Sequence, residues 1–348
     1  MCGIVGYVGY DEAAGKIIEG LKKLEYRGYD SSGIAILSDK GIELNKCKGE
    51  IKNLENMIAG RVPKGTCGIG HTRWATHGAP SDVNSHPHMD QSGRVALVHN
   101  GIVENYVELK ETLINEHGIK FKSETDSEVI AQLVGVKYNA NGGDLEKAVY
   151  DAVKEMRGTY AIGVIAEDTP DKIVAYRKEA PLIAGLGKKS NFIASDIPAL
   201  LKYTNDIFLI ENDEMVICTP DSITIKDKDG KEVKREAMKI TWSVEDAEKG
   251  GYEHFMLKEI NEQPKVVAET LNRRIDEDGK IKLDGINLTK EELDKYNKIY
   301  IVACGTAYHA GLVGKYVIEK MAGIAVEVDV ASEFRYRDPF IDEKTLFI

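Results

Sequence analysis

The sequence predicts a layered α+β domain followed by a second domain built on a parallel sheet. Over residues 1–240, apolar runs typical of strands and periodicities typical of helices occur in separate blocks. Segregated strands and helices favour layers of sheet and helix over strict βαβ alternation. Beyond residue 252 the order becomes strand, helix, strand, which is the pattern of a parallel βαβ unit.

The first domain begins with an apolar strand and continues in blocks. Its predicted helices have apolar residues at intervals of three and four positions: Asp11–Glu25, Val103–His117, Ser127–Tyr138 and Asp144–Met156. Its predicted strands are short apolar or alternating runs: Cys2–Tyr10, Gly33–Leu37, Ile42–Cys47, Cys67–Thr72, Val95–His99, Tyr160–Ala166, Lys172–Arg177, Phe192–Ser195, Ile207–Ile210, Met215–Cys218 and Ser222–Ile225.

A linker is predicted over residues 241–252, which are charged and include paired glycines. It separates a domain over 1–240 from a domain over 253–348. The elements predicted in the second domain alternate in type: a helix over His254–Arg274, a strand over Lys298–Cys304, a helix over Thr306–Met321, and strands over Ile324–Val330 and Leu346–Ile348. A parallel sheet with this small number of strands cannot cover both of its own faces. We therefore expect the sequence to end inside this domain.

Composition excludes several classes of protein. The 348 residues carry a formal net charge of −11, which argues against a nucleic-acid-binding protein. No apolar run approaches the roughly 18 residues that a membrane helix needs, and the N-terminus lacks the pattern of a signal peptide. The five cysteines are scattered without CxxC spacing, which is typical of free thiols in the cytoplasm.

Cys2 is the first candidate for a chemical role. Cysteine is often a buried apolar residue, and taken alone that interpretation is favoured. Removal of Met1 would instead give Cys2 a free α-amine, whose usual pKa lies near 7.7–8.0. That amine could accept the thiol proton, so nucleophile and base would share one residue.

The segment 68–90 contains four of the eight histidines: His71, His77, His86 and His88. Their spacing matches no zinc motif, so we predict no metal site. The same segment is better suited to binding an amino acid. Arg73 offers a planar fork for a carboxylate, and Trp74 offers an aromatic cover.

Two further segments have both a structural and a chemical interpretation. Asn100-Gly101 has the composition of a hairpin turn, but an Asn amide and a glycine N–H could also stabilise an oxyanion. Asp126 lies where a helix N-cap is expected, but its carboxylate could instead bind an ammonium group. Gly305, between a predicted strand and a predicted helix, is compatible with a simple turn or a phosphate cradle.

Taken together, five motifs resemble class II, N-terminal-nucleophile glutamine amidotransferases: MCGIVG, LEYRGYDSSG, HTRWATHG, HNG and SETDSE. The resemblance implies a four-layer αββα sandwich in which Cys2 attacks the glutamine amide. Arg73 would hold the α-carboxylate of glutamine and Asp126 its α-ammonium group. The resemblance also implies that Thr76 and His77 line the glutamine pocket and that Trp74 lies on the loop that covers it. Asn100 and Gly101 would form the oxyanion hole, and Arg27 would position the nucleophile.

The second half resembles the beginning of a sugar-isomerase (SIS) domain, through ACGTAYHAG and ASEFRYRDP. Cys304, Gly305 and Thr306 match the first sugar-phosphate loop, although Ala307 replaces a serine that is frequent in relatives. The resemblance implies a full-length homodimer, without cofactor or metal, that passes ammonia through a closed tunnel to D-fructose 6-phosphate and makes D-glucosamine 6-phosphate. The alternative is a non-enzymatic sugar-phosphate binding or regulatory module with the same fold.

Overall fold

The computed structural model describes residues 2–75, 77–241, 251–276, 278–283, 286 and 288–348. The chain divides into two compact units, Met1–Lys258 and Glu259–Ile348. Most of the predicted linker falls on residues 242–250, which lie outside the described residues.

The strands of the first unit form two antiparallel sheets. Their bounds are β1 Gly3–Gly9, β2 Ser31–Ser38, β3 Gly41–Lys48, β4 Cys67–Arg73, β5 His88–Met89, β6 Val95–Val103, β7 Gly158–Ala166, β8 Ile173–Lys178, β9 Ile183–Leu186, β10 Ser190–Ala194, β11 Asp206–Leu209, β12 Glu214–Cys218, β13 Ile223–Lys226 and β14 Met238–Lys239. The larger sheet has the order β14-β11-β9-β10-β1-β4-β2-β3, and the smaller sheet has the order β13-β12-β8-β7-β6-β5.

Helices cover the outer faces of the two sheets. Their bounds are α1 Ala13–Leu24, α2 Ile51–Ile58, α3 Tyr106–His117, α4 Asp126–Ala140 and α5 Leu145–Glu155, with short 3₁₀ turns at Glu25–Arg27 and Ile197–Ala199. One apolar core packs α1 and α2 against the larger sheet, and another packs α3, α4 and α5 against the smaller sheet. A third core lies between the sheets. The predicted four-layer αββα sandwich is therefore confirmed.

Strand β1 shows why the sheets stack. Ile4 and Val8 point into the core between the sheets, while Val5 and Tyr7 point toward the helices on the outer face. Successive side chains of a strand point to opposite faces of the sheet. A strand with a continuous apolar run is therefore buried on both of its faces. β1 lies between β10 and β4, in the middle of the larger sheet. Cys2, which directly precedes it, is therefore anchored rather than frayed.

The second unit holds a small parallel sheet. Its strands are β15 Lys298–Ala303, β16 Ala325–Val330 and β17 Thr345–Phe347, in the order β16-β15-β17. The remaining helices are α6 Phe255–Asn272, α7 Lys290–Leu293, α8 Gly305–Ala322 and α9 Ala331–Tyr336. The predicted strand, helix, strand order is confirmed. No helix in the described part of the chain is long and apolar enough to cross a membrane.

Candidate active site

A cavity of about 340 Å³ opens in the first unit where β1 begins and where β4, β6 and α4 approach one another. Seven of the nine residues predicted for the glutamine site line it: Cys2, Arg73, Trp74, His77, Asn100, Gly101 and Asp126. Thr76 lies outside the described residues. Arg27 ends a 3₁₀ turn, and its side chain lies outside the description.

Pairing of β1 with β4 brings Cys2 to the cavity. Gly3 pairs with Thr72, so Cys2 comes beside the residues that end β4. The backbone N–H of Trp74 donates to Cys2 Sγ at 3.2 Å, and the Trp74 carbonyl lies 3.4 Å from the same sulfur. Burial raises the pKa of the Cys2 thiol, and the Trp74 hydrogen bond opposes that shift. A nucleophilic role for this thiol would therefore require a nearby base.

The segment around Gly28 holds the Trp74 backbone in this position. A side chain at Gly28 would meet the Arg73 carbonyl and the Trp74 nitrogen at 2.9 Å, so only glycine allows the two segments to touch. The Asp30 N–H donates to the Arg73 carbonyl at 3.1 Å. The Asp30 carboxylate accepts the N–H of Ala75.

Arg73 is a buried cation that forms no ion pair with any described residue. It is 3% exposed. Its Nη2 donates to the carbonyls of His77 and Gly78, while its Nη1 is buried without a hydrogen-bond partner. Among the described residues, no carboxylate lies within ion-pair distance of this guanidinium. A surface ion pair, which is a common role of arginine, is therefore not the role of Arg73. A buried, unpaired charge is costly, and an anionic ligand in the cavity would remove that cost.

Asp126 supplies the opposite charge on the cavity wall. It is the first residue of α4 and not its cap, because Thr125 Oγ1 accepts from the backbone N–H of Glu128 at 3.2 Å. The predicted capping role of Asp126 is therefore wrong. Asp126 Oδ2 accepts from the Val103 N–H at 3.0 Å, and Oδ1 lies 3.4 Å from the Ser127 hydroxyl. The Asp126 side chain therefore lies at the N-terminus of α4, the end of the helix dipole that attracts negative charge.

Asn100 and Gly101 lie within β6 and do not form a hairpin turn. They pair with Ala161 and Tyr160 of β7, so the turn interpretation is wrong. Gly101 has a φ of +116°, which distorts the strand where it reaches the cavity. Asn100 Nδ2 donates to the Cys2 carbonyl at 3.1 Å. An amide N–H is therefore anchored beside Cys2.

Four buried histidines pack together beside the cavity: His71, His86, His88 and His99. The rings of His71 and His86 stack with their centroids 4.1 Å apart. Burial lowers the pKa of His71 to about 3 and lowers the pKa of each of the other three. The cluster is therefore neutral at physiological pH. Within the described residues, no three His, Cys, Asp or Glu side chains are grouped so that they could hold a metal.

The predicted sugar-phosphate residues lie in the second unit. Cys304, Gly305 and Thr306 are exposed at the N-terminus of α8, directly after β15. Gly305 has a φ of +59°, and nothing lies within 4 Å of the position a side chain would take. The turn is thus open to solvent.

Comparison with known proteins assigns both units. Residues 71–202 match the family model "Glutamine amidotransferase domain", and residues 292–348 match "SIS domain". The chain is 58% identical over 348 residues to a protein of Clostridium tetani named glutamine–fructose-6-phosphate aminotransferase (isomerizing). A protein of the same name from Clostridium perfringens is also 58% identical. The chain is a homologue of these aminotransferases. It spans 57% of the length of the first protein and 56% of the second.

Solved structures with a similar fold include two enzymes. The glutamine phosphoribosylpyrophosphate amidotransferase of B. subtilis, complexed with ADP and GMP, aligns with 94% of this chain and 65% of its own chain. Its TM-score is 0.59 and its identity 20%, so the likeness establishes the fold alone. A structure described as the allosteric regulatory enzyme of purine biosynthesis aligns with 65% of this chain and 49% of its own chain, with a TM-score of 0.57 and 26% identity.

The sequence does not predict the structural roles of three residues at the site: Gly28, Asp30 and His71. Gly28 and Asp30 lie inside the LEYRGYDSSG motif, but only the contact with β4 shows what they hold. His71 was weighed only as a metal ligand. Its position opposite β6 is a tertiary contact that no local pattern indicates.

Proposed function

We propose that this chain hydrolyses L-glutamine to glutamate and ammonia, with Cys2 as the nucleophile after removal of Met1. The observation that carries the proposal is the pair of buried, opposite charges, Arg73 and Asp126, on the wall of the cavity that contains Cys2. An α-amino acid carries one carboxylate and one ammonium group. A cavity with this charge pattern and a thiol suits an amino acid with a reactive side chain.

Binding is proposed to use the two opposite charges on the cavity wall. The α-carboxylate would lie against Arg73, which has an unpartnered donor at Nη1. The α-ammonium group would lie against Asp126, whose Oδ2 is already held by a backbone N–H. His77 and Trp74 line the same cavity. Trp74 is 52% exposed, with its ring against Tyr29 at 6.0 Å, which supports a role as a cover that moves over bound substrate.

The first chemical step is attack on the side-chain amide. The α-amine of Cys2 takes the thiol proton, and the sulfur forms a bond to the amide carbon while the carbonyl electrons move to oxygen. The Asn100 amide and the Gly101 N–H would stabilise that oxyanion. Such a base is required because burial raises the pKa of the thiol.

The intermediate then collapses and is hydrolysed. The carbonyl double bond re-forms, the carbon–nitrogen bond breaks, and the α-ammonium group of Cys2 gives its proton to the departing nitrogen. Ammonia departs, and a γ-glutamyl thioester remains on Cys2. Water attacks the thioester as the same amine accepts its proton. The carbon–sulfur bond breaks, the sulfur regains a proton, and glutamate departs.

For the whole protein, we propose that ammonia is transferred to D-fructose 6-phosphate to give D-glucosamine 6-phosphate. The support is the SIS match and the aminotransferase relatives, of which this chain spans little more than half. The same proposal includes domains over residues 1–240 and 253–348 and a sugar-phosphate contact at Cys304–Thr306. It also includes a homodimer and a cytoplasmic location. For these 348 residues alone, the proposed reaction is glutamine hydrolysis.

The test is glutamate and ammonia release from glutamine by protein whose N-terminus has been mapped. We expect turnover in the chain that begins at Cys2 and none in Cys2→Ala. Unchanged melting of the variant would show that the fold is intact. An inactive but correctly processed wild type would favour the alternative, a non-enzymatic sugar-phosphate binding module.

A further inference from the structure

We propose that His71 is a positioning residue that orients the Asn100 side-chain amide toward Cys2, an inference that rests on the proposed glutaminase function. His71 lies on β4 and is fully buried. Its Nε2 lies 2.9 Å from Asn100 Oδ1 and 3.0 Å from the backbone carbonyl oxygen of His99. One ring nitrogen thus faces two atoms of the strand that carries the oxyanion donors.

The His99 carbonyl determines which nitrogen of His71 carries the proton. A carbonyl oxygen only accepts hydrogen bonds, so His71 Nε2 must be a donor. The Asn100 atom that faces the same nitrogen must then be the amide oxygen. A reversed amide would set two donors against each other at 2.9 Å.

The remaining amide nitrogen of Asn100 must therefore point the other way. The amide nitrogen donates to the Cys2 carbonyl at 3.1 Å. The contact at the nitrogen therefore requires the same orientation of the Asn100 amide as the contact at its oxygen. A donor that is held before the substrate arrives costs no reorganisation when negative charge develops, which is the basis of oxyanion stabilisation.

The His71 ring has no competing role in the described structure. Its Nδ1 is buried and has no hydrogen-bond partner. Its ring stacks on His86, with centroids 4.1 Å apart and planes inclined by 21°, which restricts rotation. Burial lowers the pKa of His71, so the ring stays neutral in the range where enzymes are assayed.

The first experiment compares His71→Leu with His71→Gln by steady-state glutaminase kinetics. Leucine removes the donor, so we expect kcat to fall by roughly 10- to 1,000-fold, up to the effect of losing one oxyanion donor. KM for glutamine should stay within about threefold, because an oxyanion donor acts mainly on the transition state. Gln has an amide N–H that can replace the donor, so His71→Gln should recover part of kcat. Wild-type kcat in a folded His71→Leu chain would overturn the inference.

A double-mutant cycle with Asn100→Ala separates positioning from general damage. If His71 acts through Asn100, adding His71→Leu to Asn100→Ala should change kcat little. A full and additive further loss of kcat would overturn the inference, since His71 would then act by another route.

A third measurement does not depend on turnover. The ¹⁵N NMR signals of the His71 ring should report a proton on Nε2 in the wild-type protein. A proton on Nδ1 would overturn the inference, even if His71→Leu fails to fold. A wild type without glutaminase activity would contradict the proposed function, and the NMR result would still decide the placement of Asn100.

Discussion

Gly101→Ala should damage both the fold and the reaction, because the new methyl group has no space. A Cβ at residue 101 would lie 2.0 Å from the Thr159 carbonyl oxygen and 2.8 Å from its carbon. Both atoms belong to the backbone of β7, so no side-chain rotation relieves the clash. The φ of +116° is also unfavourable for alanine. The end of β6 would have to move away from β7.

The structure sets the size of the effect. Strain at such a φ costs about 1–3 kcal/mol, and displacement of the strand adds to it, so we expect at least about 3 kcal/mol of destabilisation. The melting temperature should then fall by roughly 6–12 °C. Displacement of the Gly101 N–H should lower kcat by about 100- to 1,000-fold, the usual effect of losing one oxyanion donor.

Gly118→Ala is the matched control. Gly118 directly follows α3 and has a φ of +64°, and nothing lies within 4 Å of its Cβ position. Its replacement should cost about 1–2 kcal/mol from backbone strain alone and should leave kcat unchanged. Calorimetry and glutamate release would be measured on both variants. The reasoning is refuted if Gly101→Ala loses no more stability than the control and keeps wild-type kcat.

Two other predictions concern charge. Arg73→Lys should raise KM for glutamine by roughly 10- to 100-fold with kcat little changed, because a point charge cannot replace the bidentate fork; a wild-type KM in steady-state assays would contradict the assignment. The free energy of unfolding should fall as pH drops below the ordinary histidine pKa of 6.5, because the unfolded chain binds protons that the buried histidines exclude. Each such histidine contributes up to about 1.4 kcal/mol per pH unit. The measurement is urea unfolding at pH 7.5 and 5.5. His88→Gln should reduce this pH dependence, and replacement of the exposed His117 should not. Equal pH dependence in His88→Gln and wild type would count against buried, neutral histidines.

Elements with long apolar patterns were predictable from the sequence. α1 and α8 agree with their predicted ranges within two residues at each end. The helix Ile51–Ile58 was missed, although its buried residues follow helical spacing, because eight residues give a weak pattern. The strands His88–Met89 and Met238–Lys239 are too short to leave any pattern.

Strand order could not be predicted, because it depends on contacts between distant parts of the chain. β1 pairs with β10, about 190 residues away, and no local pattern encodes that neighbour. The same limit applies at the site. Asn100-Gly101 obeys the local rule for a turn, but pairing with β7 draws it into a strand. Asp126 obeys the rule for a cap, but Thr125 already fills that position.

Residue chemistry was more informative than local conformation at the site. Cys2, Arg73 and Asp126 were selected for their reactive or charged groups, and all three line one cavity. What the sequence could not show is that Arg73 forms no ion pair with any residue that the structure describes. That is a property of every neighbouring element together, and it is the observation that most favours an amino-acid ligand.

The most direct test of the central claim is to locate the covalent adduct of a glutamine-like electrophile. Protein beginning at Cys2 would be treated with 6-diazo-5-oxo-L-norleucine and mapped by peptide mass spectrometry. We predict one adduct per chain, on Cys2, that forms in competition with glutamine. Cys304, which is exposed and lies outside the cavity lining, is the internal control and should remain unmodified. Labelling of Cys304 as fast as Cys2, or equal labelling of a chain that retains Met1, would contradict the account.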